Sequence, residues 1–201
     1  YDQIEDATGF EPLRDLVENI YTNEYLETLL PKWNAVIQEP EAFVVLPLQR
    51  DFYARNLKNA KERTVVIISD AMRYEVGKEL FRRMQDDPKC TAKLEVQLSV
   101  LPSYTCLGMA ALLPHTELTM TNDFKVLVDG LPCENLVERE AILQKYNMDS
   151  VCVQFDSIKS LKIADLRSIF TGKQLVYVYH NQIDARGDKP NTEDEVFVAC
   201  Q

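Results

Sequence analysis

The sequence has few of the residues that characterise linkers, membrane spans and disordered tails. Its 201 residues include 6 Gly and 9 Pro, which is too few for a flexible linker or an unfolded segment. The longest uninterrupted apolar runs, such as residues 109–113 and 175–179, are far shorter than the about 20 residues that a transmembrane helix needs. The composition therefore predicts a globular chain with no membrane span.

Cysteine is present in a number and spacing that exclude two small-domain classes. There are 5 Cys, an odd number, and no two of them stand in C-x-x-C spacing. This pattern fits neither a disulfide framework nor a zinc finger. It is typical of reduced thiols, so we expect a cytoplasmic protein.

The chain has fewer basic than acidic residues. The chain has 22 Lys and Arg against 32 Asp and Glu, a formal net charge of −10. This balance argues against non-specific binding to nucleic acid, which depends on Lys and Arg neutralising phosphates, and against binding to anionic lipid. It does not exclude a phosphate substrate, because a bound divalent cation can reverse the local field.

The hydrophobic pattern predicts an α/β fold. From residue 64 onward, strand-like runs alternate with helical periodicity, which is typical of a mainly parallel sheet flanked by helices. The predicted strands are at 64–69, 94–100, 124–128, 151–155 and 174–180. Residues 11–37 show a helical stripe, and Thr192-x-x-Glu195 resembles a capping box that opens a last helix. We therefore predict an N-terminal helical segment at 1–60 and an α/β domain at 61–201.

Polar side chains follow three of the predicted strands. Asp70 follows the first, Ser103 to Cys106 follow the second, and His180, Asp184 and Asp188 follow the last. Ligands of open α/β sheets bind beyond the carboxyl ends of the strands, so these groups are the candidate site. We expect Asp70, Thr105 and Asp184 to cluster there, with Asp70 and Thr105 as the closer pair and a mobile loop at 181–191.

Each of these residues also has a purely structural interpretation. Asp70, Ser103 and Thr105 could be helix N-caps. Asp184 and Asp188 could belong to a solvated turn, and His180 could be a hydrogen-bonded structural histidine. Their shared position at one sheet edge is what favours a site.

Missing motifs narrow the chemistry. The chain has no P-loop, no G-x-G-x-x-G, no H-E-x-x-H and no G-x-S-x-G. Its 2 His have no evident Asp partner for a Ser-His-Asp hydrolase. Carboxylates grouped with a hydroxyl are instead typical of sites for divalent metals.

Four segments resemble a known family. VVIISDAMRYEVGKEL (65–80), VLPSYTCLGMAALLPH (100–115) and VYVYHNQIDARGDKPNTEDEVF (176–197) are similar to the PglZ domain of bacterial phage-defence (BREX-type) systems, and ENIYTNEYLETLLPKW (18–33) is similar to that family's lead-in. The family belongs to the alkaline phosphatase superfamily. The resemblance implies an α/β/α enzyme with two divalent metals, zinc first and manganese or magnesium as alternatives, and a Ser or Thr nucleophile.

The resemblance also implies roles for individual residues. Asp70 would be a metal ligand and Thr105 the metal-bound nucleophile. Asp184 and Asp188 match the ligand pattern D-x-x-G-H, with Asp188 in place of the usual histidine. Arg73 could bind a phosphate oxygen or simply lie at the surface, and His180 would be accessory.

The resemblance is incomplete, because the superfamily takes its remaining ligands from a later Asp-His pair and a further His. We therefore expect this chain to be an excerpt that folds but holds little metal and is inactive alone. The implied function is a metal-dependent phosphoesterase acting on a phosphate ester and assembling with other phage-defence proteins. The alternatives are a catalytically vestigial assembly domain and a nucleotide-binding α/β domain without chemistry.

Overall fold

The structure, a computed structural model, describes residues 9–38, 46–189, 192 and 195–200. Its contacts divide the chain into two units, Tyr1–Leu46 and Pro47–Gln201. The predicted domain limits at 1–60 and 61–201 stay a prediction, and part of the predicted helical segment lies outside the described residues. No helix among the described residues is long and apolar enough to cross a membrane.

The first unit is helical, as its periodicity predicts. Helix α1 (Glu11–Asn19) continues through a π-helical segment (Ile20–Leu26) into α2 (Glu27–Ile37). Pro31 lies inside α2, where it lacks the N–H that would donate to Glu27 O, and the helix continues past it to Ile37. Within the described part of this unit no side chain is buried.

The second unit contains the remaining elements. It begins with a 3₁₀ turn (Gln49–Asp51), and its elements in chain order are α3 (Phe52–Asn56), β1 (Thr64–Ser69), α4 (Tyr74–Gln85), α5 (Thr105–Ala111), β2 (Leu118–Met120), β3 (Val126–Val128), β4 (Leu131–Pro132), α6 (Leu136–Tyr146), β5 (Ser150–Gln154), α7 (Phe155–Ile158), α8 (Ile163–Phe170), β6 (Leu175–His180), α9 (Gln182–Gly187) and α10 (Val196–Ala199).

A parallel sheet with the order β1-β6-β5 confirms the predicted α/β class. Along β6 the register runs from Leu175, opposite Thr64 and Ser150, to His180, opposite Ser69. The central strand is buried on both faces from Leu175 to Tyr179. The sheet therefore aligns the carboxyl ends of β1 and β6 at one edge.

One face of this sheet forms the core with the helices. Val66 and Ile68 of β1 and Tyr177 and Tyr179 of β6 share that face by register and are buried. They cluster with buried residues of α3, α5, β3 and α6. This face therefore holds α5 and α6 against the sheet.

A second, antiparallel sheet is formed by β2, β3 and β4, which the sequence pattern does not predict as a separate sheet. Its β3–β4 turn is Asp129-Gly130, and both residues have positive φ, at 49° and 77°. This is the backbone conformation that two-residue hairpins favour. The predicted strand at 124–128 is therefore the short β3, and it pairs antiparallel.

The predicted strand at 94–100 is wrong. This stretch is irregular, and its only ladder contact is an isolated parallel bridge from Leu98 to Leu48 within the described residues. Leu98 N–H donates to Pro47 O, and Gln49 N–H donates to Leu98 O, both at 2.8 Å. Alternating polarity alone does not make a strand without a neighbouring strand to complete the hydrogen bonds.

Two local predictions concern the end of the chain. The predicted capping box at Thr192 and Glu195 includes residues outside the described part of the chain; the Thr192 hydroxyl donates to Arg186 O at 2.9 Å, and helix α10 begins at Val196. Within the expected mobile loop at 181–191, residues 182–187 form helix α9 and not a loop. Ile183 of this helix is buried.

Candidate active site at the carboxyl ends of the parallel strands

The first half of the candidate site is the carboxyl end of β1. Asp70 N–H donates to His180 O at 2.9 Å, so the hydrogen bonding of the β1–β6 pair continues one residue past β1. The Asp70 carboxyl oxygen Oδ1 accepts a hydrogen bond from Ala71 N–H at 3.0 Å. Ala71 has φ 58°, a left-handed conformation that is costly for a residue other than glycine. The chain thus turns sharply here and fixes the position of the Asp70 carboxyl.

Asp184 lies close enough to Asp70 to act on its charge. Burial raises the pKa of Asp70 most, and repulsion from the Asp184 carboxylate raises it further. The Ala71 N–H and the positive charge of Arg139 oppose this increase. The structure therefore brings together two of the predicted carboxylates, one from the end of β1 and one from the first turn of α9.

Asp188 ends the same helix. It is the residue after α9, its N–H donates to Asp184 O at 2.9 Å, and its side chain is exposed. Among the described residues, no group of three or more His, Cys, Asp or Glu side chains could hold a metal ion. Asp70 and Asp184 are thus a pair of carboxylates and not a closed ligand set within the part of the chain that is described.

The second half of the candidate site is the beginning of α5. Thr105 is the first residue of this helix, and its side chain is exposed. No hydrogen bond to its hydroxyl is formed within the described ranges. The predicted pairing of Thr105 with Asp70 stays a prediction.

Helix α5 itself is firmly held. Leu107, Ala110 and Ala111 are buried. The buried Tyr177 hydroxyl of β6 donates to Leu112 O at 2.7 Å. Gln49 Nε2 donates to Gly108 O at 3.2 Å. The core therefore fixes where α5 begins, although Thr105 itself is exposed.

Arg139 of α6 is a charged neighbour of Asp70 that sequence reasoning missed. Its Nε donates to Cys133 O at 2.8 Å and its Nη2 to Glu134 O at 3.2 Å. Its guanidinium lies 4.8 Å from the centroid of the Tyr179 ring. In the sequence Arg139 is one of several charges on a helix, and nothing there distinguishes it.

The segment before α6 faces the start of α5 as well. A hydrogen bond with Cys106 raises the pKa of Tyr104, and the negative charge of Glu134 raises it further. Burial raises the pKa of Cys133. The positive charge of Arg139 opposes this increase, and the nearby Cys106 adds to it. Residues 133–139 are therefore neighbours of Tyr104 and Cys106, which flank Thr105. They are also neighbours of the Asp70 carboxyl.

The remaining candidates lie apart from this arrangement or already have partners. His180 Nδ1 and Ser69 Oγ are hydrogen-bonded at 2.8 Å, and the imidazole meets the Phe155 ring edge-to-face at 4.9 Å. Arg73 is the residue before α4, and its side chain is exposed. Their proposed roles stay predictions. All five cysteines are free thiols.

Comparison with known sequences decides the family. A profile described as "BREX system PglZ alkaline phosphatase-like domain" matches residues 51–201. The chain belongs to the PglZ family. The resemblance inferred from the three long motifs is thereby confirmed, and the fold is that of an alkaline phosphatase-like domain.

Two curated relatives place this PglZ domain within longer proteins. It is 42% identical over 208 residues to "Alkaline phosphatase-like protein PglZ" of Bacillus cereus (strain H3081.97), covering 100% of the chain and 24% of that protein. It is 38% identical over 207 residues to "Alkaline phosphatase-like protein BrxZ" of Escherichia coli O9:H4 (strain HS), covering 97% of the chain and 24% of that protein. The chain thus spans about a quarter of the length of these relatives. No solved structure matches it significantly.

Proposed function

We propose that this PglZ domain contributes Asp70, Thr105, Asp184 and Asp188 to a metal-dependent phosphoesterase site. The observation that supports it best is the raised pKa of Asp70, which burial raises most and the charge of Asp184 raises further, at the carboxyl ends of β1 and β6. Ligands of open α/β sheets bind at this location. The family's alkaline phosphatase-like character points to the same chemistry.

The two carboxylates fit a divalent cation. Burial and mutual repulsion both disfavour the charged form of Asp70, and a cation bound between the carboxylates would reverse that penalty. Hard oxygen donors suit magnesium or manganese and also bind zinc. Such ions, when bound, stabilise the negative charge on the phosphoryl oxygens and make a coordinated hydroxyl more acidic. Thr105 and Asp188 would add donors, and others would come from the rest of the full-length protein.

In this proposal Thr105 carries the covalent chemistry. Its Oγ forms a bond to phosphorus as the bond to the ester oxygen breaks; the Thr105 proton is released and the leaving alcohol takes up a proton. Water then attacks the phosphothreonine, releasing phosphate and restoring the hydroxyl. Arg139 keeps positive charge beside Asp70, which favours the ionised carboxylate.

A second candidate function is assembly without catalysis. The described residues of the first unit carry exposed apolar side chains, including Leu16, Val17 and Leu29. A surface of this kind suits docking of another protein of the BREX system in the cytoplasm. A full-length protein that assembles but hydrolyses no phosphate ester would favour this second candidate, whereas hydrolysis by the same protein would favour the phosphoesterase.

Metal content and hydrolysis of the full-length protein test the proposal. Asp70→Asn and Asp184→Asn are compared with Asp165→Asn, a matched change at an exposed carboxylate of α8. We expect both site variants to lose most bound metal and at least about 100-fold in hydrolysis of p-nitrophenyl phosphate and of its bis-ester. Unchanged metal content and rate in both variants would refute the proposed ligand pair.

Residues 1–201 prepared alone provide a second test. The carboxylate pair alone has fewer donors than the three or four protein ligands of a stable catalytic site. We therefore propose that this portion holds divalent metal weakly and does not turn over, whereas the full-length protein does both. Titration calorimetry with zinc, manganese and magnesium, after circular dichroism has shown that the portion is folded, measures the difference.

A further inference from the structure

Helix α9 carries the proposed ligand Asp184 on one side and a pair of polar side chains on the other. Each residue of an α-helix is rotated by about 100° from the one before it, so residues two apart face nearly opposite ways. Gln182 and Arg186 share one side by their i, i+4 spacing, and Asp184 and the following Asp188 share the other. Contacts that fix the first pair therefore also set the direction of the second.

Gln182 connects α9 to α7. Its Nε2 donates to both carboxylate oxygens of Asp156, at 2.6 and 2.7 Å. Its Oε1 accepts a hydrogen bond from Arg186 Nη1 at 2.8 Å, and the same Nη1 donates to Gln182 O at 3.1 Å. One side-chain amide thus joins a carboxylate of α7 to a guanidinium one turn further along α9.

Both ends of this connection are held in turn. The Phe155 ring of α7 meets the His180 imidazole at the end of β6 edge-to-face, with centroids 4.9 Å apart. At the other end, Arg186 Nε lies 3.4 Å from a carboxylate oxygen of Glu195. Only Ile183 among the six residues of α9 is buried, so this short helix has a single core anchor. The polar connection therefore supplies a constraint on rotation that the core does not.

Only a side chain that both donates and accepts can serve both partners. A carboxylate at position 182 would accept from Arg186 but repel Asp156, whereas a cation there would donate to Asp156 but repel Arg186. Lys159 Nζ lies 2.5 Å from Asp156 Oδ1, so the Asp156 carboxylate remains an acceptor. The amide of Gln182 meets both requirements.

We propose that Gln182 is a positioning residue that fixes the rotation of α9 and thereby sets the direction in which Asp184 and Asp188 point. The consequence for metal binding rests on the proposed phosphoesterase function, whereas the rotation of α9 does not. Hydrogen-bonding residues that orient metal ligands typically change metal affinity by about 10- to 100-fold when they are altered. We expect an effect of this size at Gln182.

Reversal of the hydrogen-bonding pair tests the inference in the full-length protein. Gln182→Glu keeps the acceptor for Arg186 and loses the donor to Asp156. The double variant Asp156→Asn with Gln182→Glu restores a donor and an acceptor and leaves the total charge unchanged. Gln85→Glu, the same change at the exposed last residue of α4, is the matched control.

Two measurements are made on these variants. In metal-free protein, Gln182→Glu should speed amide exchange within α9 at least about tenfold, and the double variant should restore it to within about threefold. Manganese titration, followed by electron paramagnetic resonance, should show affinity at least about tenfold weaker in Gln182→Glu and restored in the double variant. An added negative charge acting through space alone would instead strengthen cation binding, so the sign separates positioning from electrostatics.

Three results would overturn the inference: exchange in α9 as slow in Gln182→Glu as in Gln85→Glu, no rescue by the double variant, or normal manganese affinity in Gln182→Glu beside a loss in Asp184→Asn. Normal affinity in both Gln182→Glu and Asp184→Asn would instead refute the proposed ligands. The exchange rates and their rescue would then decide by themselves whether Gln182 fixes α9.

Discussion

The two halves of the candidate site are held in place by different means. At the end of β1, Asp70 is fixed by the sheet itself, through its N–H bond to His180 O and the turn at Ala71. At the start of α5, Thr105 makes no side-chain hydrogen bond within the described residues, and its position depends on buried residues further along the helix. One half is thus positioned by strand register and the other by core packing.

The comparison shows where each half is vulnerable. A substitution at Asp70 removes a half-buried charge that interacts electrostatically with Asp184 and Arg139. A change beneath α5 moves an exposed hydroxyl without touching it, because Tyr177 links the sheet to the end of that helix. Substitutions that act on one half and spare the other can therefore separate chemistry from positioning.

The largest effect is expected at the start of α5. In the full-length protein, Thr105→Ala should lower kcat by at least about 1000-fold, because the proposed nucleophile is removed. Ser103→Ala is the matched control, an exposed hydroxyl two residues away, and should keep activity within about threefold. Steady-state hydrolysis of p-nitrophenyl phosphate gives both values. Near-normal kcat in Thr105→Ala would exclude the covalent mechanism.

The link between the two halves is expected to matter next. Tyr177→Phe removes the hydroxyl that donates to Leu112 O and leaves that carbonyl without this partner in the core. We expect a loss of about 1–2 kcal/mol in unfolding free energy and faster amide exchange in α5. Tyr146→Phe is the control, since its hydroxyl reaches the exposed Asp129 at 3.2 Å and its loss should cost about 0.5 kcal/mol or less. Equal losses in both variants would mean that the buried bond does not anchor α5.

The charge at the end of β1 should give a pH-dependent effect. The pKa of Asp70 is raised in the folded protein, so the folded state binds this proton more tightly than the unfolded state does. The favourable contribution is complete below the usual pKa of aspartate and is lost as the pH rises through the raised pKa. In metal-free protein, Asp70→Asn should therefore raise Tm at pH 7, and the gain should vanish as the pH falls below about 4.

Asp129 is the control, because its pKa is lowered in the folded protein whereas that of Asp70 is raised. Hydrogen bonds from Glu117 N–H and Thr116 N–H lower its pKa, so its contribution is present at neutral pH and lost on acidification. Asp129→Asn should accordingly lower Tm at pH 7, with the deficit shrinking at low pH. Thermal unfolding of both variants across pH, with a chelator present, measures the two signs. A lower Tm for Asp70→Asn at pH 7 would contradict the raised pKa of Asp70 and its causes, burial first and repulsion from Asp184 second.

The smallest effect is expected at the turn that follows Asp70. Ala71 has φ 58°, which glycine adopts without strain, so Ala71→Gly should stabilise the protein by about 0.5 kcal/mol after its own entropy cost. Ala71→Val, with a β-branched side chain in the same conformation, should destabilise it by more than about 1 kcal/mol. Denaturant unfolding of the two variants gives the difference. Equal stability would show that the turn relaxes around position 71.

Much of the site's location follows from the sequence. Asp70 was predictable because it follows a β-branched run of strand length, and Asp184 because it follows another. Arg139 was not predictable, because its relevance depends on α6 packing against the same sheet face as Asp70. The roles of Thr105, Asp188, His180 and Arg73 stay predictions, since none of them shows an interaction that would decide its role.

The sequence by itself determined the strands β1, β5 and β6, most of the longer helices and the family. The spacing of apolar residues within one segment indicates whether that segment is a helix or a strand, because it depends only on residues close in sequence. Three long motifs are specific enough to identify a PglZ domain. Only the tertiary structure decided that residues 94–100 form no strand, that 182–187 form a helix, and that β1 and β6 lie side by side. Those outcomes depend on which hydrogen-bond and packing partners the folded chain supplies, and partners distant in sequence leave no periodic trace in it.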